Sequence, residues 1–345
     1  MRARLAAGPW PARNIDQNIG DLVAQVAACQ RGADAIAAAA RMHGRDTLIA
    51  YMAHVQDNAA EAVAQLIGKL ADGAFEALMD IGAAIRVAVR VDREARRMVV
   101  DFAGTSPLSE SNFNAPASIA RASLLYVLRC LVDAPIPLND GALRPVELRI
   151  PPGCLLDARP PHAVVAGNVE TSQVVTDALF AAFGALAASQ GTMNNFTFGN
   201  GRHQYYETIA GGAGAGRGFD GASAVQSHMT NSRLTDPEVL ESRFPVRVES
   251  FVIRHGSGGD GRWRGGDGAV REISFHEEME VSVLSNRRST VPFGLEGGSA
   301  GLSGRNIVIR VDGSLSEMPG QFREILFPGD KVRLETPGGG GFFCE

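Results

Sequence analysis

Glycine makes up 40 of the 345 residues, and much of it lies after residue 199. A residue without a Cβ serves where the backbone takes a positive φ or where two backbones touch. The second half of the chain is therefore expected to consist of turns and loops joining short strands, some of which can line a site. The first half follows a different pattern. Ile15, Ile19, Leu22, Val23 and Val26 fall on one face at helical spacing, with Asn14 placed to cap them. Gly44 breaks the pattern. Asp46 is expected to cap a second helix with Leu48, Tyr51, Met52, Val55, Val63, Leu66, Ile67 and Leu70 on its apolar side. Two helices joined by a short glycine turn read as an antiparallel pair that packs on the rest of the domain.

Beyond the pair, β-rich stretches at 84–91 and 97–102 flank Asp92-Arg93-Glu94-Ala95, a hairpin signal. A helix is predicted over 118–131, a strand over 146–150, and a helix capped by Thr171 or Ser172. Strands are predicted at 196–199, 205–210, 246–254, 269–275, 281–286, 306–311 and 331–335. A short helix near 237–242 starts from Asp236 and Pro237. Helices first and strands later specify an α+β fold, with the helix pair and further helices packed on a carboxy-terminal, strand-rich, glycine-rich region. The division expected is a helix pair over 1–72 and an α+β core over 73–345, with a β-rich subdomain at 245–345.

Composition narrows the function classes. Apolar residues are 45% of the chain, enough for a sizeable core, and the net charge of −5 implies no basic face for nucleic acid or anionic membrane. No stretch approaches 18 uninterrupted apolar residues, and residues 1–11 do not form a signal peptide. Cys29, Cys130, Cys154 and Cys344 are scattered without a CxxC pair and read as the reduced thiols of a cytoplasmic protein.

Generic motifs are few. There is no GxxxxGK[ST] loop for ATP, no HExxH and no GxSxG. The run Gly211-Gly212-Ala213-Gly214-Ala215-Gly216 is either a turn between strands or a backbone-amide cradle for an anion. His228 stands among small polar residues, either as a structural histidine or as a proton carrier. Asn194 and Asn195 either serve a tight turn or hold a lactam or carboxylate. Asn168, Glu170 and Thr171 precede a helix amino terminus, which favours an anionic ligand.

Several ordered stretches resemble the hydantoinase B/oxoprolinase family. They are Asn112-Phe113-Asn114-Ala115-Pro116, Gly167-Asn168-Val169-Glu170-Thr171-Ser172-Gln173, Ser189-Gln190-Gly191-Thr192-Met193-Asn194-Asn195, Tyr205-Tyr206-Glu207-Thr208-Ile209-Ala210-Gly211-Gly212, Ser227-His228-Met229-Thr230-Asn231 and Thr336-Pro337-Gly338-Gly339-Gly340-Gly341. With Tyr51-Met52-Ala53-His54 the chain looks most similar to the carboxy-terminal part of the ATP-dependent 5-oxoprolinase branch. The resemblance implies ring opening of 5-oxoproline, or of a related cyclic amide such as a hydantoin, to a linear product. It implies ATP used by a hydantoinase A-like ATPase subunit or domain rather than bound by this chain, and a likeness to oligomeric enzymes. Family members usually begin upstream with a His- and Asp-rich segment resembling a metal site. A divalent metal is therefore expected there, with the metal ligands of this chain unknown. Two alternatives are a carboxylase subunit of the acetone carboxylase type and a truncated, non-catalytic docking subunit.

Residue chemistry then suggests roles within such an enzyme. Glu207 or His228 would move a proton. Asn168, Glu170, Asn194, Asn195, Gly211, Gly212 and Gly214 would bind substrate, the asparagines and glycine amides serving a developing oxyanion. All are expected in one cleft, and Asn195→Ala is expected to lose activity with stability nearly intact.

Overall fold

The structure, a computed structural model, describes residues 1–8, 11–12, 14–137 and 139–344. After a single turn, α1 (Arg2–Leu5), come α2 (Ile15–His43) and α3 (Arg45–Ile67). Asn14 caps α2 as expected, its Oδ1 accepting from the Gln17 amide at 3.2 Å. Asp46 is not the cap of α3. The helix begins one residue earlier, Gly44 (φ 82°) ends one helix and opens the next, and Asp46 lies in the first turn. No residue of α2 is buried, and Val26 and Met42 are 71% and 77% exposed. On α3 only the carboxy-terminal half reaches the body, through Ala59, Val63 and Ile67, while Tyr51, Met52 and Val55 stay exposed. The expected packing of the pair on the rest of the domain is thus realised by two or three turns of one helix.

Strands β1 (Gly73–Leu78), β2 (Ala84–Asp92), β3 (Arg97–Asp101) and β4 (Val146–Arg149) form one sheet in that order, antiparallel except for the β3–β4 pair. Helix α5 (Ser172–Ala182) packs on β1 and β2, and α4 (Ala117–Leu131) packs against α5. Alternation along β2 sends Ile85, Val87 and Val89 into a core with Ile67 from α3, Leu124 and Val127 from α4, and Val174 and Leu179 from α5. Every residue of α5 is buried. Thr171 stands at its N-cap position, but its side chain makes no capping hydrogen bond. A wide π-type turn, Gly167–Thr171, leads in, and the Thr171 hydroxyl donates to the Phe113 carbonyl at 2.5 Å.

The second half holds two packed sheets. One has the order β11-β10-β13-β8-β7, the other β12-β9-β5-β6. In chain order these are β5 (Asn195–Gly199), β6 (Gln204–Thr208), then the short helix α6 (Pro237–Arg243), β7 (Val246–Arg254), β8 (Gly268–Phe275), β9 (Met279–Leu284), β10 (Arg305–Ile309), β11 (Leu315–Met318), β12 (Gln321–Leu326) and β13 (Lys331–Glu335). Phe196, Phe198, Ile273, Phe275, Val281 and Leu334 fill the space between them. Because β9 pairs with β5, strands from 245–345 share a sheet with 195–208. The Asp236 cap of α6 is present, accepting from the Glu238 amide at 3.1 Å.

The glycine-rich loops meet around the carboxy-terminal segment. Successive amides of that segment bond to different neighbours: Gly338 to the Leu302 carbonyl (3.1 Å), Gly339 to Gly266 (2.8 Å), Gly340 to Ala188 (2.8 Å) and Gly341 to Ser299 (2.9 Å). Its carbonyls accept in turn from Gly212, Gly259, Ala215 and Leu295. One strand is thereby enclosed by backbone on several sides, which is possible only without side chains: a Cβ on Gly339 would fall on the Ala213 carbonyl. Gly339→Ala is expected to destabilise the protein by about 1–3 kcal/mol or more, as overpacking does in rigid interiors. Gly201→Ala, where a Cβ meets open space, should stay within about 0.5 kcal/mol. Urea denaturation of the two variants checks the contrast.

Candidate functional site

The buried helix α5 and the turn before it carry two acids seven residues apart, Glu170 and Asp177, hence on one side of the helix two turns apart. Each ties down one end of the segment that runs alongside. Asp177 Oδ1 accepts from the Ser189 amide at 3.1 Å, and Glu170 Oε1 accepts from the Met193 amide at 3.1 Å and from Asn195 Nδ2 at 2.7 Å. Both acids are sealed from solvent. Burial raises the Glu170 carboxyl to about 8, against the pull of its hydrogen bonds, so it is uncharged near neutrality. Burial likewise raises Asp177 to about 7, opposed by the Arg287 guanidinium 3.6 Å away.

The predicted oxyanion donors are all committed elsewhere. Asn194, in the left-handed region at φ 47°, gives its amide protons to Gln190 Oε1 (2.8 Å) and the Ile209 carbonyl (3.1 Å). Asn195 gives its own to Glu170 and to the Leu284 carbonyl (2.9 Å), and its Oδ1 accepts from the Tyr206 hydroxyl at 2.7 Å. The amides of Gly211 and Gly212 go to the Val225 and Pro337 carbonyls, and that of Gly214 to Ser189 Oγ at 3.1 Å. The glycine run is therefore neither a free cradle nor a simple turn; it is one wall of the backbone bundle. Removing the Asn195 amide leaves Glu170 and a carbonyl short of partners, so Asn195→Ala carries a stability cost that the sequence reading omitted.

Glu207 lies on β6, locked in a buried bidentate pair with Arg271 (3.0 and 3.1 Å) and accepting from the Tyr205 hydroxyl at 2.8 Å. A carboxylate held this way has its lone pairs occupied and faces a sheet core, which removes the geometric basis for the proton-transfer role expected of it. Asn168 is exposed, and its carbonyl accepts from Ser172 Oγ at 2.6 Å.

The single cleft resolves into two cavities with the 189–195 segment reaching both. A cavity of about 560 Å³ is lined by Tyr126, Phe180, Ser189, Gly214, Phe219 and His228. Another, of about 580 Å³, is lined by Asn112, Val169, Asn195, Thr197, Tyr206 and Gln321. His228 and Gly214 thus part company with Asn195. In the first cavity the imidazole is clasped at both nitrogens, with Nδ1 3.0 Å from the Tyr126 hydroxyl and Nε2 3.0 Å from Ser189 Oγ. Phe180 lies 5.0 Å from the ring centroid, and Gln173 Nε2 donates to the His228 carbonyl. Burial lowers the His228 pKa to about 4, so the ring is neutral at pH 7 and one nitrogen is free to accept a proton. Tyr126, Ser189 and Asp177 escaped the sequence reading. Only Asp177 left a signal there: an acid two turns from Glu170, and the one charged residue of α5.

Among the described residues, no group of three or more His, Cys, Asp or Glu side chains is arranged to hold a metal ion. No described helix is long and apolar enough to cross a membrane.

Glu170 makes a pH prediction. Its folded pKa, about 8, lies above its ordinary value of 4.5 in an unfolded chain, so between these values the unfolded chain binds fewer protons and this group's contribution to stability declines as pH rises. Glu170→Gln keeps the shape and acceptor oxygen of the neutral acid. The variant should lose less stability than the wild type between pH 5 and pH 8, read as urea midpoints across that range.

Comparison with known proteins fixes the family. The hydantoinase B/oxoprolinase family model matches residues 2–343. The chain is 45% identical to 5-oxoprolinase 1 of Arabidopsis thaliana and 44% identical to the 5-oxoprolinase of Dictyostelium discoideum, each over 96% of its length. It spans about a quarter of those relatives, 27% of each. In fold it is similar to the ATP-dependent caprolactamase from Pseudomonas jessenii, with a TM-score of 0.82 and 23% identity, covering 98% of this chain and 62% of that one. The chain belongs to the hydantoinase B/oxoprolinase family.

Proposed function

We propose that this chain is the hydrolytic part of an ATP-dependent cyclic amidase that opens 5-oxoproline to glutamate. The observation that carries the reading is the identity of 44–45% with two 5-oxoprolinases sustained over 96% of the chain, far more than a shared fold requires. The caprolactamase of similar fold also takes, by its name, a cyclic amide and ATP.

Lactam opening breaks the C–N bond, adds hydroxyl to the carbonyl carbon and returns a proton to nitrogen. An unactivated amide resists this near neutral pH, which gives ATP its purpose: phosphorylation of the lactam oxygen makes the carbon electrophilic. We assign that step to a hydantoinase A-like ATPase module outside these residues, together with any divalent metal. The described residues supply the proton acceptor. Water adding to the activated carbon passes its proton to Ser189 Oγ as the Ser189 proton passes to His228 Nε2, 3.0 Å away. The same relay returns that proton to the ring nitrogen as the C–N bond breaks, and a second water releases inorganic phosphate from the acyl phosphate that results. The neutral state of His228 suits this role, since an imidazolium could not accept. Phe180, Leu186 and Phe219 line the same cavity and limit the water that reaches the intermediate.

The test is an ATP-coupled glutamate-release assay with 5-oxoproline, on the chain alone and within a complete enzyme containing the ATPase module. Release is expected only in the complete enzyme. There His228→Ala should lower turnover about 10²–10⁴-fold, the usual worth of a general base, while ATP binding is kept. Full turnover in that variant, or no glutamate from the complete wild-type enzyme, would overturn the proposal.

A further inference from the structure

Helix α2 carries an apolar seam that the chain itself leaves uncovered. From Ile15 to Ala40 its apolar positions advance by four and three residues in turn, the heptad spacing of a coiled-coil seam kept for more than three heptads. The charged residues Asp21, Arg31, Asp34 and Arg41 all fall away from that seam. The positions flanking it hold one charge, Asp16, and otherwise neutral residues. Residues 23–38 are exposed without a break, Ile36 to 55%. Eight exposed large apolar side chains lie on α2 and α3. They offer on the order of 800 Å² of apolar surface, more than a monomer usually leaves to water and about one side of a standard interface.

The sizes along the seam say what fits it. Ile15, Ile19, Leu22 and Val26 make its first half large. Cys29, Ala33 and Ala40 make its second half small, with Ile36 the exception. A parallel copy would stack large on large and small on small, leaving voids where the small residues meet. An antiparallel copy with its two-fold axis between Ala27 and Ala28 sets Ile15 on Ala40, Leu22 on Ala33 and Val26 on Cys29, with Ile19 on Ile36 as the one large pair. The seam is thus the shape complement of its own reversed copy, as a two-fold interface requires. We propose that α2 is a self-association surface, through which two copies of this chain pair as an antiparallel coiled coil about that axis. Ile15, Ile19 and Leu22 are already half-buried in the single chain. The burial gained therefore centres on Val26, Cys29 and Ala33, close to the axis, and on Ile36. The pairing stands apart from the substrate assignment.

Sedimentation equilibrium of the pure chain should give twice the chain mass at about 10 µM and above. Val26→Glu combined with Ile36→Glu puts charges into the paired seam, and should raise the dissociation constant about 100-fold or more. Both side chains are exposed in the single chain, so the variant should keep the wild-type circular dichroism spectrum. A second measurement reads the register. Cys29 lies within half a turn of the proposed axis, so a short bis-maleimide should join two copies through it. Cys29→Ser should abolish that link, and Cys344→Ser should keep it. A chain that stays monomeric across the range overturns the proposal. So does a dimer untouched by the double substitution, or a link that survives Cys29→Ser. A monomeric chain whose double variant no longer assembles with the ATPase module also overturns it, and gives the face to that module.

Discussion

The structure depends on one extended segment whose four central residues, Gly338 to Gly341, leave no room for a Cβ. The segment from Pro337 to Phe342 runs through the centre of the glycine-rich loops and exchanges backbone hydrogen bonds with residues near 188, 212–215, 259–266 and 295–302 of the same chain. These contacts are as close as backbones can come, and close contact between rigid groups tolerates little adjustment. The candidate site inherits that rigidity. The Ala188 carbonyl accepts from Gly340, the Ala187 amide donates to Ala215, and the Gly214 amide holds Ser189 Oγ. The hydroxyl bonded to His228 is therefore placed by main chain on both sides, which leaves it one direction in which to give its proton.

A second constraint is the burial of acids on α5. A charged carboxylate sealed from water would cost several kcal/mol. Glu170 avoids this by staying protonated, and Asp177 by a mixture of burial-raised pKa and a neighbouring guanidinium. Each acid uses an oxygen to satisfy amides of the 189–195 segment, which runs past the helix without regular structure of its own. Loops without ladders normally lie at the surface because their amides need water. Here the helix supplies side-chain acceptors instead, so an irregular segment can pass through the interior and form parts of two cavities.

Much of the fold was legible in the sequence. The β2–β3 hairpin was set by a polar turn between alternating strands, α6 by Asp236 and Pro237, and the long strands by their β-branched runs. β11 and β12 were missed because Leu315–Met318 and Gln321–Leu326 are short and largely exposed, leaving no apolar alternation to read. The site was less legible, for a physical reason. Asn194, Asn195, Glu207 and the glycines were chosen as groups able to donate or accept, but whether a group is free depends on partners far along the chain. Glu207 is consumed by Arg271, 64 residues away, and Asn194 Oδ1 by Arg288, 94 away. Tyr126 failed the opposite way: on an amphipathic helix it reads as core, and only the fold brings it to a histidine 102 residues later.

The division of the expected cleft into two cavities bears on how such an enzyme can work. The His228 cavity holds a neutral base and an apolar lining but no Lys or Arg among its lining residues. The charges of a phosphorylated intermediate would find no compensation there from this chain's own side chains. Stabilisation of developing charge is usually the largest contribution to catalysis, and the amides first expected to provide it are bonded within the protein. Under the proposed function the anion must be held from outside these residues, by the module that delivers the phosphoryl group, while His228 and Ser189 accept the proton. Such an arrangement would keep the base idle until the rest of the enzyme closes over it. Hydrolysis of the activated lactam would then be coupled to assembly rather than left to water.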